Sequence, residues 1–246
     1  MKYIRSLELK KNRRAEHAFV AEGPKVVGDM LPAFPCRLLV AVEGWHAAHP
    51  LAVADEKLTV TPDELTRASF LKTPQEVLAV FAMGDEEECP VSVGSSELCL
   101  ALDDVQDPGN LGTIIRLADW FGIRHIFCSP ATADAFNPKV VQATMGALAR
   151  VKLHYAPLVP LLEEARAGGI PLYGTFLDGE SLYEKSLAPH GVIIMGNEGN
   201  GICAEVARFV NERLFIPNYP VGVETSESLN VATATAIICA EFRRRM

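Results

Sequence analysis

Apolar and polar positions divide the chain into two textures. Up to Met83 the signals are short and mixed: a basic amphipathic helix over 4–14, the segment HAFVAEGPKVV (17–27), and a buried strand at CRLLVAV (36–42). A helix then opens at VTPDEL (60–65) with Thr61 or Pro62 near its start, and EVLAVFAM (76–83) reads as a further strand. Residues 84–96, GDEEECPVSVGSS, hold four acids with Pro, Gly and Ser and no apolar period, so they read as a linker.

From Leu98 strand and helix signals alternate. LCLAL (98–102), HIFCS (125–129), VKLHY (151–155), LYGTF (172–176), VIIMG (192–196) and LFIP (214–217) are apolar runs. Between them lie helical patterns at 111–122, at 137–148 with Asn137 as cap and Pro138 in the first turn, at 161–169, at 204–210, and at 229–244. Such alternation predicts an α/β fold, a mostly parallel sheet with helices on both faces, behind a small amino-terminal α/β domain.

Length and composition fit this picture. A chain of 246 residues, 49% apolar and 22% charged, has room for two globular domains. No run of eighteen apolar residues predicts a membrane span, and MKYIRSLELKKNRR lacks the apolar core of a secretory leader, so a cytoplasmic protein is expected. The six cysteines (Cys36, Cys89, Cys99, Cys128, Cys203 and Cys239) form no CxxC pair and read as thiols of a reducing compartment. His46 and His49 are three apart, but without a third ligand nearby they read as a solvated pair, and no metal is expected.

The net charge of −8 argues against a chain that coats nucleic acid everywhere, yet it leaves room for a local basic patch. Residues 1–14 carry Lys2, Arg5, Lys10, Lys11, Arg13 and Arg14 against the single acid Glu8. This stretch suits a phosphate backbone, and equally a solvated amphipathic helix.

Three segments bend the pattern toward chemistry. In the first, Asp107–Arg116, Asn110 is the expected N-cap and Gly122 the expected C-terminal stop. Leu111, Ile114, Ile115, Ala118 and Phe121 form an apolar stripe, and Arg116 lies off it, one turn after Gly112. Glycine clears space there for a ligand; the plain alternative is a capped surface helix with a solvated arginine. In the second, the strand Val192–Met195 runs into Gly196-Asn197-Glu198-Gly199-Asn200-Gly201. A loop at a strand's carboxyl end is where ligands of open α/β sheets bind, and glycines permit close backbone approach. Its glycine order matches neither a dinucleotide fingerprint nor a phosphate loop. The third runs from Leu214-Phe215-Ile216-Pro217 to Ser228-Leu229-Asn230, where Ser228 or Asn230 caps a helix rich in small and β-branched residues. That composition suits close approach to another element, in a second chain or within this one.

In this order and spacing, the three segments resemble the signature motifs of the SpoU (TrmH-like) family of RNA 2′-O-ribose methyltransferases, within the SPOUT superfamily. The resemblance covers residues 98–246. More loosely, IRSLELKKNRR and FVAEGPKVV (19–27), with Lys25, resemble the family's accessory L30e-like RNA-binding domain. The family implies domains at 1–83 and 97–246 joined by 84–96, a trefoil knot, and a homodimer whose interface builds the active site. It implies S-adenosyl-L-methionine as cofactor, held by Thr175, Gly196, Asn197, Glu198, Gly201, Ile216, Ser228 and Leu229. Reactive polar residues fall on Asn110, Arg116, Glu198, Ser228 and Asn230. RNA contacts are expected from Arg5, Lys10, Lys11, Arg13, Arg14, Lys25 and Arg116, with ribosomal RNA favoured by the front domain. A transfer-RNA ribose methyltransferase and a catalytically silent RNA-binding relative are the alternatives.

Two departures from the family pattern stand out. The stretch Asn218–Glu227 lacks a Met-x-Gly and looks long, and Ala232 replaces a common Ser. The family hypothesis makes Arg116 a general base. A guanidinium does not readily deprotonate, so a bidentate clamp on the target phosphate is the plainer role. Glu198 would either balance the sulfonium charge or order its loop.

Overall fold

The computed structural model describes residues 1–84, 89–220, 223 and 228–245. Along the chain come α1 (Lys2–Ser6), α2 (Lys10–Glu16), β1 (Ala18–Glu22), α3 (Pro24–Met30), β2 (Cys36–Ala41), α4 (Glu43–Ala48), β3 (Glu56–Thr59), α5 (Pro62–Ala68) and β4 (Val77–Ala82). There follow β5 (Leu98–Leu102), α6 (Pro108–Trp120), β6 (His125–Cys128), α7 (Pro138–Ala143), β7 (Lys152–Tyr155) and α8 (Leu158–Ala167). Last are β8 (Leu172–Ser181), β9 (Gly191–Met195), α9 (Ala204–Ala207), β10 (Glu212–Phe215) and α10 (Val231–Arg244). These pack into two compact units, 1–86 with 134–150, and 87–133 with 151–246. Among the described residues no helix is long and apolar enough to cross a membrane.

The first unit is built on a four-stranded sheet of order β1-β4-β2-β3, antiparallel except for the β2–β3 pair. One core joins Ile4 and Leu7 to Val20, Val40, Leu78 and Val80 of the sheet and to Leu65 and Ala68 of α5. A second group is aromatic: Phe19 meets Phe34 edge-on at 5.1 Å and Phe136 at 4.7 Å. Phe136 and α7 thus complete the amino-terminal unit, although they follow β6 in sequence. Thr61 caps α5 with a reciprocal bond to Glu64, as its position before Pro62 suggested. β3 was not foreseen; all four of its residues are exposed at the sheet's edge, so no apolar signal marks it.

The second unit holds a six-stranded sheet of order β10-β8-β9-β5-β6-β7, with every neighbouring pair parallel. β5 and β9 are buried along their whole length, which is why they read as unbroken apolar runs. Cys99, Ala101, Val192 and Ile194 pack against Leu158, Leu162 and Ala165 of α8. Val91, inside the expected linker, belongs to that core and sits in a short 3-10 turn, Val91–Ser95. Residues 85–88 of the linker, and 221–222 and 224–227 of the long loop, lie outside the described residues.

Three local expectations are corrected. Asp107, not Asn110, caps α6, accepting the Asn110 backbone N–H at 2.8 Å with Pro108 in the first turn. Gly112 is buried, so it opens no space beside Arg116. His46 and His49 are engaged with carbonyls rather than simply solvated: His46 Nε2 lies 3.1 Å from the Leu58 carbonyl and His49 Nδ1 3.0 Å from that of Trp45. The carboxyl-terminal arginines are anchored. Arg243 donates to the Phe121 carbonyl at 2.7 Å, and Arg245 to the carbonyls of Leu182 and Lys185.

Candidate functional site

The loops of interest leave the carboxyl ends of parallel strands, where backbone N–H and C=O groups no longer pair within the sheet. Gly196 directly follows β9, and a Cβ there would stand 2.2 Å from the Gly201 carbonyl carbon and the Ile202 nitrogen, so only glycine lets the loop fold back. Asn197 and Gly201 exchange two backbone hydrogen bonds of 2.9 Å, with Gly201 at φ +69°. The Asn197 side-chain oxygen accepts from the N–H groups of Gly199 and Asn200, while its amide donates to the Asp104 carbonyl at 2.8 Å. The loop is therefore shaped by its own residues and tied to the end of β5.

Freed from capping, the Asn110 side chain reaches outward. Its amide donates to Glu198 Oε1 at 3.0 Å, and its oxygen accepts from the Asn230 amide at 2.9 Å. Asn230 spends its own oxygen capping α10, accepting from Ala232 and Thr233 at 3.0 and 3.2 Å. Each amide thus has one orientation that serves both neighbours. Glu198 also accepts the backbone N–H groups of Gln106 and Asp107 at 3.3 and 3.2 Å. Partial burial pushes the Glu198 carboxyl up, but bonds from Asn110, its own backbone, Asp107 and Gln106 prevail and hold it below the ordinary 4.5. The carboxylate stays charged and binds the loop after β5.

The structure therefore joins Asn110, Glu198 and Asn230 directly. Thr175 is half-buried on β8, one residue beyond the Gly174–Ile194 pairing and so level with the end of β9. Ile216 follows β10 and is half-buried. Ser228 is exposed and leaves the cap to Asn230, while Leu229 is an apolar residue 50% exposed. Arg116 is exposed and makes no hydrogen bond or ion pair with any described residue. Of the expected RNA contacts, Lys10, Lys11, Arg14 and Lys25 are exposed, and Lys25 pairs with Asp29 at 2.8 Å. Arg5 is partly engaged, donating to the Ser69 carbonyl at 2.6 Å. Arg13 is withdrawn from the set: it is 2% exposed, bonded to the Leu7 and Glu8 carbonyls and paired with Asp134 at 2.5 Å.

Two residues that shape the site had escaped attention. Asp103 accepts the Cys203 N–H at 2.7 Å, and Asp104, at φ +58°, is locked by mutual bonds with Ser129. Their signal was an acidic pair directly after the apolar run LCLAL.

A search of known families matches residues 97–240 to the SpoU rRNA Methylase family and residues 1–79 to the MRM3-like substrate binding domain. The 23S rRNA (guanosine(2553)-2′-O)-methyltransferase RlmP of Bacillus subtilis is 31% identical over 242 residues, covering 97% of this chain and 94% of that protein. Among solved structures, a TrmH-family protein from Porphyromonas gingivalis has a TM-score of 0.90 and 47% identity, covering 100% of this chain and 97% of the other. An AdoMet-bound rRNA methyltransferase from Sinorhizobium meliloti has a TM-score of 0.85 at 32% identity, covering 100% and 94%.

Proposed function

The chain belongs to the SpoU rRNA methylase family, and from that premise we propose that it transfers the methyl group of S-adenosylmethionine to a ribose 2′-hydroxyl of ribosomal RNA. The observation that carries this reading is the chain of bonds Glu198–Asn110–Asn230, which fastens together three segments that are far apart in sequence. Relatives named for 23S rRNA support ribosomal over transfer RNA, and the neighbour solved with AdoMet supports the cofactor.

The residues present fit such a cofactor. Exposed Leu229 and half-buried Ile216 offer apolar surface to an adenine ring, and the Gly196–Gly201 turn offers backbone at close range. Thr175, Gly196, Asn197, Gly201, Ile216, Ser228 and Leu229 are the residues that would hold it. When bound, S-adenosylmethionine supplies an electrophilic methyl on a sulfonium, and the protein's share is alignment and exclusion of water, for which positioning alone contributes about 7–11 kcal/mol in favourable cases. Glu198, Asn110 and Asn230 keep the loops in register. Arg116, with no partner among the described residues, is placed to grip the phosphate beside the target ribose, and its guanidinium keeps its proton. The amino-terminal module, 1–83, presents Lys10, Lys11, Arg14 and Lys25 to the RNA backbone, leaving 97–246 as the methyltransferase domain.

Three further parts complete the proposal. The 97–246 domain is threaded into a trefoil knot, the enzyme works as a cytoplasmic homodimer, and the second copy covers the α6 surface, where Trp120 is 84% exposed.

The test is methyl transfer from labelled S-adenosylmethionine to ribosomal RNA, with nuclease-resistant dinucleotides as the sign of 2′-O chemistry. Methylated bases, or no cofactor binding by calorimetry, would overturn the reading. Arg116→Lys separates the two roles of the arginine: a clamp loses RNA affinity, whereas a pure rate defect at unchanged affinity would refute the clamp.

A further inference from the structure

Away from the site just described, three donor atoms converge at the edge of the six-stranded sheet. Cys89 Sγ lies 3.4 Å from His125 Nδ1, and His125 Nδ1 lies 3.0 Å from His154 Nε2. All three atoms fall within 4.8 Å of one another, and all three residues are half-buried. The imidazoles stack with centroids 5.3 Å apart, so both rings are held in place. His125 opens β6 and His154 lies on the adjoining β7, while Cys89 belongs to the segment that precedes β5.

Zinc binds thiolate sulfur at about 2.3 Å and imidazole nitrogen at about 2.0–2.1 Å, so two ligands at a tetrahedral centre stand roughly 3.3–3.6 Å apart. The Cys89–His125 separation already meets that spacing, the nitrogen pair has to open by about 0.3 Å, and Cys89 and His154, within 4.8 Å of each other, settle to the same spacing around an ion. A hydrogen-bonded trio of thiol and imidazoles gives similar distances, but one thiolate with two imidazoles is also the donor set that suits a borderline-soft d10 ion. We propose that Cys89, His125 and His154 form a zinc-class metal site that fastens the segment ahead of β5 to the β6–β7 edge. His125 stands at the opposite end of the parallel strands from the loops that carry Glu198, so the site is a clamp and takes no part in methyl transfer. Three protein ligands leave the fourth position to solvent.

The experiment uses the full-length protein, reduced and stripped with a chelator, and titrated with cobalt(II). One ion per chain is expected, with a thiolate-to-cobalt charge-transfer band and the strong visible bands of tetrahedral cobalt, both abolished by one equivalent of zinc. Cys89→Ser should lose the charge-transfer band, and His125→Ala and His154→Ala should lose stoichiometric binding. Cys203→Ala, at an exposed cysteine outside the cluster, should change neither. Zinc should raise the unfolding temperature of the parent protein and not that of Cys89→Ser. Absence of the charge-transfer band in the folded parent protein overturns the proposal without any variant; its persistence in Cys89→Ser does so as well.

Discussion

Asn230 serves two neighbours at once, and its two functions can be separated. Its oxygen caps α10 and its amide meets Asn110. Asn230→Asp keeps an acceptor for the cap but removes the donor. Its unfolding temperature should stay close to that of the parent while methyl transfer falls by an order of magnitude or more. Asn230→Ala should lose both, with about 1 kcal/mol of stability gone, read by denaturant unfolding. Equal destabilisation in the two variants would mean that the Asn110 contact, not the cap, carries the stability, and unchanged methyl transfer in Asn230→Asp would mean that the amide does nothing for the reaction. Gly196→Ala forces a methyl onto the backbone of Gly201 and Ile202; the expected cost is about 1–3 kcal/mol together with loss of cofactor binding in calorimetry. At the amino terminus, replacing Lys10, Lys11 and Arg14 together by Ala should weaken RNA binding. It should also lower the slope of log affinity against log salt by about 2–3, since each phosphate contact carries close to one unit. An unchanged slope would remove these cations from the interface.

Among the elements, what the sequence disclosed depended on burial. β5, β6 and β9 announced themselves because parallel strands covered on both faces carry almost nothing but apolar residues. β3 was silent because it is an exposed edge, and the outer half of β8, through Asp178 to Ser181, was silent because it is polar. The site motifs were legible as residue types, but the start of α6 was placed three residues late. An asparagine after Pro-Gly looks like a cap, and only the fold shows that Asp107 performs that task and leaves Asn110 for Glu198. The carboxyl-terminal helix offers a pH test of the same kind. The Arg244 side chain, with Arg245, holds the buried Glu241 carboxyl at about 2, against an ordinary 4.5. Because the folded value is the lower one, this clamp stabilises fully above the ordinary value and is lost as pH falls through 4.5 toward about 2. Unfolding temperature measured across that range should decline less steeply in Glu241→Gln than in the parent protein.

For the molecule as a whole, the proposed homodimer has a direct measure. Light scattering should give twice the 26.7 kDa chain mass, and Trp120→Glu should shift it toward the single-chain value with loss of activity. A chain-sized mass for the parent would end that part of the proposal. Because the amino-terminal unit includes residues 134–150, a fragment of 97–246 carries Phe136, Val140 and Val141 without the sheet they pack on. It should be less soluble than the full chain, since each large apolar side chain so exposed costs about 1.5–3 kcal/mol. The same discontinuity sets the order in which the protein is made. At about 5–20 residues per second, synthesis from residue 86 to residue 150 takes on the order of several seconds. Through that interval β1 and its phenylalanines wait beside a nascent chain for their last partner. Elongation speed over the stretch that follows β4, more than over the segment from β1 to β4, governs how long this aromatic face stands open to chaperones or to aggregation.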